Sequence, residues 1–435
     1  MDSTPSLVQR IYQMLMESQH WPPETMLEYQ RSQLAPLLRH AKATVPFYKT
    51  RLDPVFKENG GMDWDRWHEI PIVTRADLRD RREEMLTTDL PPGHGPVKDF
   101  STSGSSGIPI TITATAIAGA AKSAALRRMH TLHGMEDAGN FATFVFPHEL
   151  NGTITNHGDI PAWSFEQHEG GGKNIKVNLF LPDTEKLGIL LEQGVTSLSH
   201  LPNTGEILAY QNNKLAHPLS LESFLTYGQN ITDEQRQKVK DSFGARSISI
   251  YSSKEAGLMA CQCTAGTHFH INDELALLEI VNGRGLPCAP GETGRVVVTP
   301  FHSTAQPMIR YEQGDLATFG ETCGCGSMLK VLQAIEGRQD PIFRFPDRLG
   351  SEVLIDKSML QKMLRAAAIQ MAQTSELKFE IRYVADADVT SGAKARINKH
   401  LRQVLHPELR FQYKRVAEIP RNAGGKQQRF VRDFA

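Results

Sequence analysis

The chain has 435 residues, too many for one hydrophobic core, which stops growing near ~250–300 residues. Hydrophobic residues make up 40% and charged residues 22%, the balance of a globular rather than a disordered chain. Lys and Arg total 48 against 49 Asp and Glu, and the resulting formal charge of -1 supplies no overall field to draw in nucleic acid or an anionic membrane.

The N-terminal stretch MDSTPSLVQRIYQMLMESQHW lacks the uninterrupted apolar run of a signal peptide, and no window approaches the ~20 apolar residues of a membrane span. The expectation is a soluble, cytoplasmic protein with neither nucleic acid nor membrane as a partner; a homodimer is left open. From about residue 6 to 50 apolar residues recur every three and four positions, which predicts helices over LVQRIYQMLME and MLEYQRSQLAPLLRHAKATV. TRADLRDRREEML predicts another helix with Thr74 as its N-cap and a solvated charged face. The loop STSGSSGIP at 101–109 leads into a strand, IPITIT, and then a helix. Strands at FATFVF, NIKVNLFL and SISIY alternate with helices at 184–194 and 233–243, the pattern of α/β layers. After Glu255 short strands separated by Gly, Pro and Asn predict a β-rich subdomain. The last ninety or so residues read strand, helix (KSMLQKMLRAAAIQMA), strand, helix, strand. The fold class is therefore α/β: a large N-terminal domain over 1–339, with α/β layers plus a β-rich subdomain, and a small mobile C-terminal α+β domain over 340–435.

Five segments carry chemistry. In Ser101–Gly107 consecutive small residues let amides and hydroxyls converge on a phosphate, although a Ser/Gly run also serves as a plain flexible turn. It is not a Walker A loop, since no Gly-Lys-Ser/Thr follows. In YSSKEAG, Glu255 stands at the C-terminal end of a strand, where α/β sheets bind ligands, and is a candidate for Mg²⁺; its plainer reading is a surface glutamate. In RYEQGD, Asp315 follows a glycine turn and is suited to accept ribose hydroxyls. EGRQD at 336–340 sits on the domain boundary. PRNAGGK puts Lys426 on a glycine-containing loop, able to enter a site from another domain.

In this order the segments resemble the core motifs of the adenylate-forming superfamily of acyl-CoA synthetases, peptide-synthetase adenylation domains and luciferases. LAPLLRHAKATVPFYKTRL, IPIVTRADLRDR and CGCG before IEGRQD are similar to the branch of phenylacetate-CoA ligases and their CapK-like and coenzyme F390 synthetase-like relatives. The resemblance implies ATP-dependent activation of a small carboxylic acid, aromatic or arylacetic, to an acyl-adenylate. The acyl group then passes to CoA; the alternative is an adenylate-forming amide ligase or an adenylyltransferase that uses an amine or another non-CoA acceptor. Thr102, Ser103, Gly104, Ser105, Ser106 and Gly107 would form the phosphate loop, Tyr251 would stack near adenine, and Glu255 would hold Mg²⁺. Asp315 would bind the ribose with Arg338 assisting, Asp340 would be the hinge, and Lys426 the adenylation lysine. Ile108 stands where many relatives carry Lys, and Gln229 where they often carry Glu. PIFRFPDR after the hinge departs from the thioester-forming pattern. Phe343 and Phe345 are accordingly expected either to narrow a pantetheine channel or to face solvent.

The chain has 5 cysteines, too few for a disulfide scaffold. Cys261-x-Cys263 and Cys323-x-Cys325 lie about sixty residues apart. Cys263, His270, Cys323 and Cys325 are the candidate ligands of a structural Zn²⁺. Cys261 and His268 are the alternatives to the first pair, and reduced buried thiols the plainer reading. Cys288 is expected to be incidental.

Overall fold

The computed structural model describes residues 5–101, 110–135, 139–161, 172–336, 343–350, 355, 357–366, 368–419 and 429–434. The chain divides into two compact units. One comprises Met1–Thr102, Ile110–Glu136 and Ile250–Gly337; the other comprises Ser103–Pro109, Asp137–Ser249 and Arg338–Ala435. Among the described residues no helix is long and apolar enough to cross a membrane.

The first unit begins with the two helices the periodicity predicts. Leu7–Ser18 starts at a capping box made by Ser6 and Gln9. Pro23–Thr44 buries Met26, Gln30, Leu34, Leu37, Leu38 and Ala41 along one stripe. Leu38 and Ala41 at its C-terminal end share a core with Val296, Val298, Met308 and Tyr311. The strands after Glu255 form an antiparallel sheet in the order Ala276–Val281, Thr293–Pro300, Tyr311–Phe319, Val331–Glu336, Phe269–Ile271 and Gly257–Gln262, then the second half of Arg246–Ser253. Helix Ala116–Leu132 follows strand Thr111–Thr115, as the apolar run after the Ser/Gly loop predicts. Its Arg128 is buried and reaches Glu274 at 2.5 Å, Asn272 Oδ1 at 2.5 Å and the Leu15 carbonyl at 2.9 Å.

In the second unit the first half of Arg246–Ser253 pairs in parallel with Ser223–Thr226. The ladder continues through Val195–His200, Asn140–Val145 and Lys173–Asn178, and Thr155–Pro161 is an antiparallel edge. Asp233–Phe243 has the boundaries its sequence dictates: Thr232 and Gln235 close a capping box, and Gly244 ends the helix in the left-handed region at φ 75°. Strands Val195–His200 and Ser223–Thr226 escape the hydrophobic pattern because they bury polar side chains, which satisfy one another across the sheet: Ser223 Oγ donates to Ser197 Oγ at 2.9 Å. Helix Pro202–Asn212 lies close on this sheet through Gly205, where a Cβ would come within 2.5 Å of Phe224.

The C-terminal segment has its own core and a four-stranded sheet ordered Arg410–Arg415, Lys378–Val384, Ala368–Ser375, Phe430–Arg432. One element differs from expectation. The helix predicted through KSMLQKMLRAAAIQMA stops at Leu364, Arg365 turns the chain at φ 48°, and Ala368–Ser375 is a strand. AIQMAQTS pairs on both sides, antiparallel with Lys378–Val384 and parallel with Phe430–Arg432. Those pairings override the helix preference of Ala, Gln and Met. A second correction concerns the segment after the proposed hinge. Phe343 is fully buried, edge-on to Phe379 and Phe430, and Phe345 is buried and stacked on His406. They are core residues of this segment. They neither face solvent nor stand in a channel.

Arg310 pins the first unit. Its side chain is 1% exposed and its backbone sits at φ 56°, a conformation few non-glycine residues adopt. The guanidinium meets both oxygens of Glu279, at 3.0 and 3.3 Å, and donates to the carbonyls of His68, Ile70 and Gly285 at 2.6, 2.9 and 2.9 Å. Burial pushes the Glu279 carboxyl pKa up, and Arg310 works against that shift. Arg310→Met should cost about 3–5 kcal/mol, the scale of leaving a buried charge without its partner. Denaturant unfolding followed by tryptophan fluorescence would read it, since Trp64 and Trp67 lie in the same unit. A loss below about 1 kcal/mol, the range of an exposed pair, would contradict the assignment.

Candidate functional site

Strand Arg246–Ser253 runs into the turn that carries Glu255, and that turn closes at Gly257 in the left-handed region, φ 74°. Tyr251, near the end of the strand, donates its hydroxyl to Asp315 Oδ2 at 3.0 Å. Asp315 itself follows Gly314, also left-handed at φ 74°, on strand Tyr311–Phe319. Burial, followed by the Asp315 charge, raises the Tyr251 pKa well above its ordinary value, so the phenol keeps its proton and remains a donor.

Glu255 follows Tyr251 by four residues, in the turn after the same strand. Its side chain is 9% exposed and its Oε1 accepts from Arg75 Nη1 at 3.2 Å. Arg75 is the first residue of helix Arg75–Asp80, whose start is fixed by a capping box between Thr74 and Asp77. A short parallel bridge holds that start against the strand of Asp315: Val73 N–H donates to the Arg310 carbonyl and Glu312 N–H to the Val73 carbonyl, both at 2.9 Å. The Tyr311 phenol feels both Glu255 and Asp315, and its pKa is raised first by burial and then by Glu255. Lys254, next to Glu255, donates its ammonium to the Ser101 carbonyl at 2.6 Å.

The structure therefore brings Tyr251, Glu255 and Asp315 into one neighbourhood. The remaining residues predicted for this site (Thr102, Ser103, Gly104, Ser105, Ser106, Gly107, Arg338, Asp340 and Lys426) lie outside the described residues. Sequence reasoning missed Arg75 and Lys254. Thr74 as N-cap signals that Arg75 opens a helix, but its partner is 180 residues away in sequence, and no local pattern announces that pairing.

A second cluster gathers soft donors. Cys263 follows strand Gly257–Gln262, and its N–H bonds the His268 carbonyl at 2.8 Å, closing the turn that brings the chain back along Phe269–Ile271. Cys263 Sγ is 3.7 Å from Cys323 Sγ, and Cys325 Sγ is 3.2 Å from His270 Nε2. The donor atoms of Cys263, His268, His270 and Cys323 all lie within 4.8 Å of one another. The other ring nitrogen of His270 faces the Leu329 carbonyl at 3.2 Å. A proton on that nitrogen leaves Nε2 as a lone pair toward the thiols. Burial pushes the Cys263 thiol up to about 12, so a cation is what would bring it to its thiolate form. Cys261 lies apart, its thiol pushed up to about 12 by burial and placed near Arg128 and Asn272. His268, by contrast, belongs to the cluster. A cavity of about 230 Å³ borders it, lined in part by Cys263, His270 and Cys325.

No family model matches the chain. In sequence it is 25% identical over 342 residues to the phenylacetate-coenzyme A ligase of Thermus thermophilus, covering 73% of this chain and 72% of that one. In fold it is similar to a crystal structure of 2-hydroxyisobutyryl-CoA ligase in complex with 2-HIB-AMP and CoA in the thioesterification state. The TM-score is 0.66 at 14% identity, covering 95% of this chain and 91% of the other. The same ligase in the postadenylation state gives a TM-score of 0.60 at 16% identity, over 95% and 91% of the two chains.

Proposed function

We propose that this member of the adenylate-forming superfamily, phenylacetate-CoA ligase-like in sequence, activates a small carboxylic acid with ATP and passes the acyl group to CoA. The observation that carries the reading is the meeting of Tyr251, Glu255 and Asp315, drawn from two separate sequence segments, at one strand end beside Ser101. A carboxylate oxygen of the acid attacks the α-phosphorus of ATP and pyrophosphate departs. The CoA thiol then loses its proton, attacks the acyl carbon and releases AMP. Tyr251 flanks the adenine and, by holding Asp315, sets the carboxylate that accepts the ribose hydroxyls, with Arg338 assisting. Glu255 is a hard oxygen donor suited to Mg²⁺, which is commonly held by one or two carboxylates plus substrate phosphates and supplies neutralising charge. Thr102–Gly107 cradle the phosphates. Lys426 stabilises the charge that shifts as pyrophosphate leaves, and the 340–435 domain turns about Asp340 between the two half-reactions. A small aromatic or arylacetic acid is the substrate class.

The sequence-based reason to prefer a different acceptor weakens once Phe343 and Phe345 prove to be core residues. CoA is therefore the proposed acceptor. Pyrophosphate and AMP release measured with Mg-ATP across a panel of acids, with CoA or amines added, should show sustained AMP formation and a thioester with CoA. Acceleration by an amine and not by CoA would make the chain an amide ligase. With an accepted acid, Lys426→Ala should slow adenylation on the order of 10²–10³-fold and leave transfer from supplied acyl-adenylate intact. Equal loss in both steps would remove Lys426 from its role.

The thiol cluster is proposed to hold one structural Zn²⁺ through Cys263, His270, Cys323 and Cys325, with His268 as a neighbouring donor. Zinc–sulfur bonds of ~2.3 Å in a tetrahedron set two thiolates about 3.8 Å apart, and a zinc-bound imidazole about 3.5 Å from a thiolate. The observed 3.7 and 3.2 Å fit that set. Elemental analysis of protein purified without added metal should find about one zinc per chain. Chelation should lower thermal stability more than it changes the adenylation rate, and a zinc content near zero would retire the site.

A further inference from the structure

We propose that one coordination position of the thiol cluster is shared: Cys325 fills it, and His268 is the reserve ligand that takes it when Cys325 is lost. The inference rests on the zinc reading above and deepens it. The starting point is a surplus of donors. A structural zinc takes four ligands in a tetrahedron, and five donors gather here. Cys263, His270 and Cys323 are common to both possible sets, their donor atoms within 4.8 Å of one another and the two sulfurs 3.7 Å apart. Two donors remain for the last place. Cys325 Sγ stands 3.2 Å from His270 Nε2, and His268 has a donor atom within 4.8 Å of the same three residues.

The two candidates are held differently. Cys325 is exposed, on the loop between strands Tyr311–Phe319 and Val331–Glu336, and Gly326 beside it turns the chain at φ 93°. His268 is anchored. Its carbonyl accepts from the Cys263 N–H at 2.8 Å, and its ring stands edge-on to that of His270 at 5.5 Å. The turn also makes room for the ring, since a Cβ on Gly266 would come within 2.9 Å of His268 Nδ1. Gly266 is not in the left-handed region, so space is what this glycine supplies. The other ring nitrogen, Nε2, is closed off from solvent and meets no hydrogen-bond partner among the described residues. A buried nitrogen left without a partner costs free energy, and a cation at the cluster removes that cost. His268 is therefore in place before it is needed, whereas Cys325 is the ligand that reagents in solution reach.

The plainer role for His268 is packing against His270, and the test separates the two. Zinc affinity is measured by competition with a chromophoric chelator for wild type, Cys325→Ala, His268→Gln and the double variant. A reserve ligand predicts that His268→Gln changes little in the wild-type background. In the Cys325→Ala background it should weaken zinc on the order of 10–100-fold, the scale that even an outer partner of a zinc ligand commands, so that the double loss exceeds the product of the single ones. With cobalt in place of zinc, Cys325→Ala should keep the bands of a tetrahedral ion with a weaker thiolate-to-metal charge-transfer band. The double variant should lose the tetrahedral bands. Should His268→Gln fail to fold, as judged by its thermal midpoint, His268→Ala carries the comparison. No effect of the His268 change in either background would make His268 a packing residue and overturn the proposal. A loss from His268→Gln alone as large as that from Cys325→Ala would also overturn it, as would a Cys325→Ala variant that already holds no zinc. Wild type that holds no zinc would overturn the zinc reading itself, and this proposal with it.

Discussion

The guanidinium of Arg310 can be buried only because Glu279 and three backbone carbonyls meet it, and much of the first unit is arranged by that requirement. A charge taken out of water costs several kcal/mol unless partners surround it. The chain therefore cannot move His68, Ile70 or Gly285 away from Arg310 without stranding the charge. The consequence reaches the site through two short links. The Arg310 carbonyl accepts from Val73, setting where helix Arg75–Asp80 begins and bringing Arg75 to Glu255. On the other side Arg310 opens the strand that delivers Asp315 to Tyr251 five residues later. One buried cation thereby fixes the spacing between two carboxylates that the chain places 60 residues apart, at 255 and 315.

Much of this was legible in sequence where the signal is local. Thr74 and Asp77, Thr232 and Gln235, and Gly244 state their roles within one helical turn. Gly314 before Asp315 marks a break in regular geometry, but it proves to be an irregularity within strand Tyr311–Phe319 and not the turn its sequence suggests. Alternating apolar residues mark most strands of the first unit. Long-range pairing was less legible. AIQMAQTS reads as helix until strands on both sides claim its backbone. Nothing local to Ser197 or Ser223 signals that they bond to each other inside a sheet. Phe343 and Phe345 follow Pro341 in what reads as a loop, and only the core around Phe379, Phe430 and His406 explains why they are aromatic. In the thiol cluster the C-x-C spacing pointed to the right turns. It did not distinguish His268 from His270, because the turn closed by Cys263 and the His268 carbonyl brings both rings to the same place, 5.5 Å apart.

The Arg75–Glu255 pair sets a condition on any cation that Glu255 would hold. A carboxylate with 9% of its side chain exposed pays for desolvation, and Arg75 offsets that cost in the absence of another cation. A divalent ion arriving at Glu255 competes with Arg75 for the same oxygen. It does so most easily if it brings anions to which Arg75 can turn. A nucleotide phosphate chain satisfies both needs at once, since it carries the metal and offers the arginine a bidentate partner. Under the proposed function, metal and nucleotide would therefore enter the site together, with little affinity for the free divalent ion.

The described residues on either side of Asp340 bear on the domain turn proposed above. Strand Val331–Glu336 is paired on both sides, with Phe269–Ile271 and with Tyr311–Phe319, so the chain is held up to Glu336. It is held again from Phe343, which lies fully buried against Phe379 and Phe430. Gln373 then clamps the next residue from both sides, accepting from the Arg344 N–H at 3.1 Å and donating to its carbonyl at 2.6 Å. A rotation placed downstream of Phe343 would have to break that clamp and expose two phenylalanines, costing several kcal/mol of apolar burial. A rotation placed upstream of Glu336 would have to unpair a central strand. The proposed hinge, Asp340, falls in the interval between these two held ends, where a turn of the kind proposed would cost neither loss.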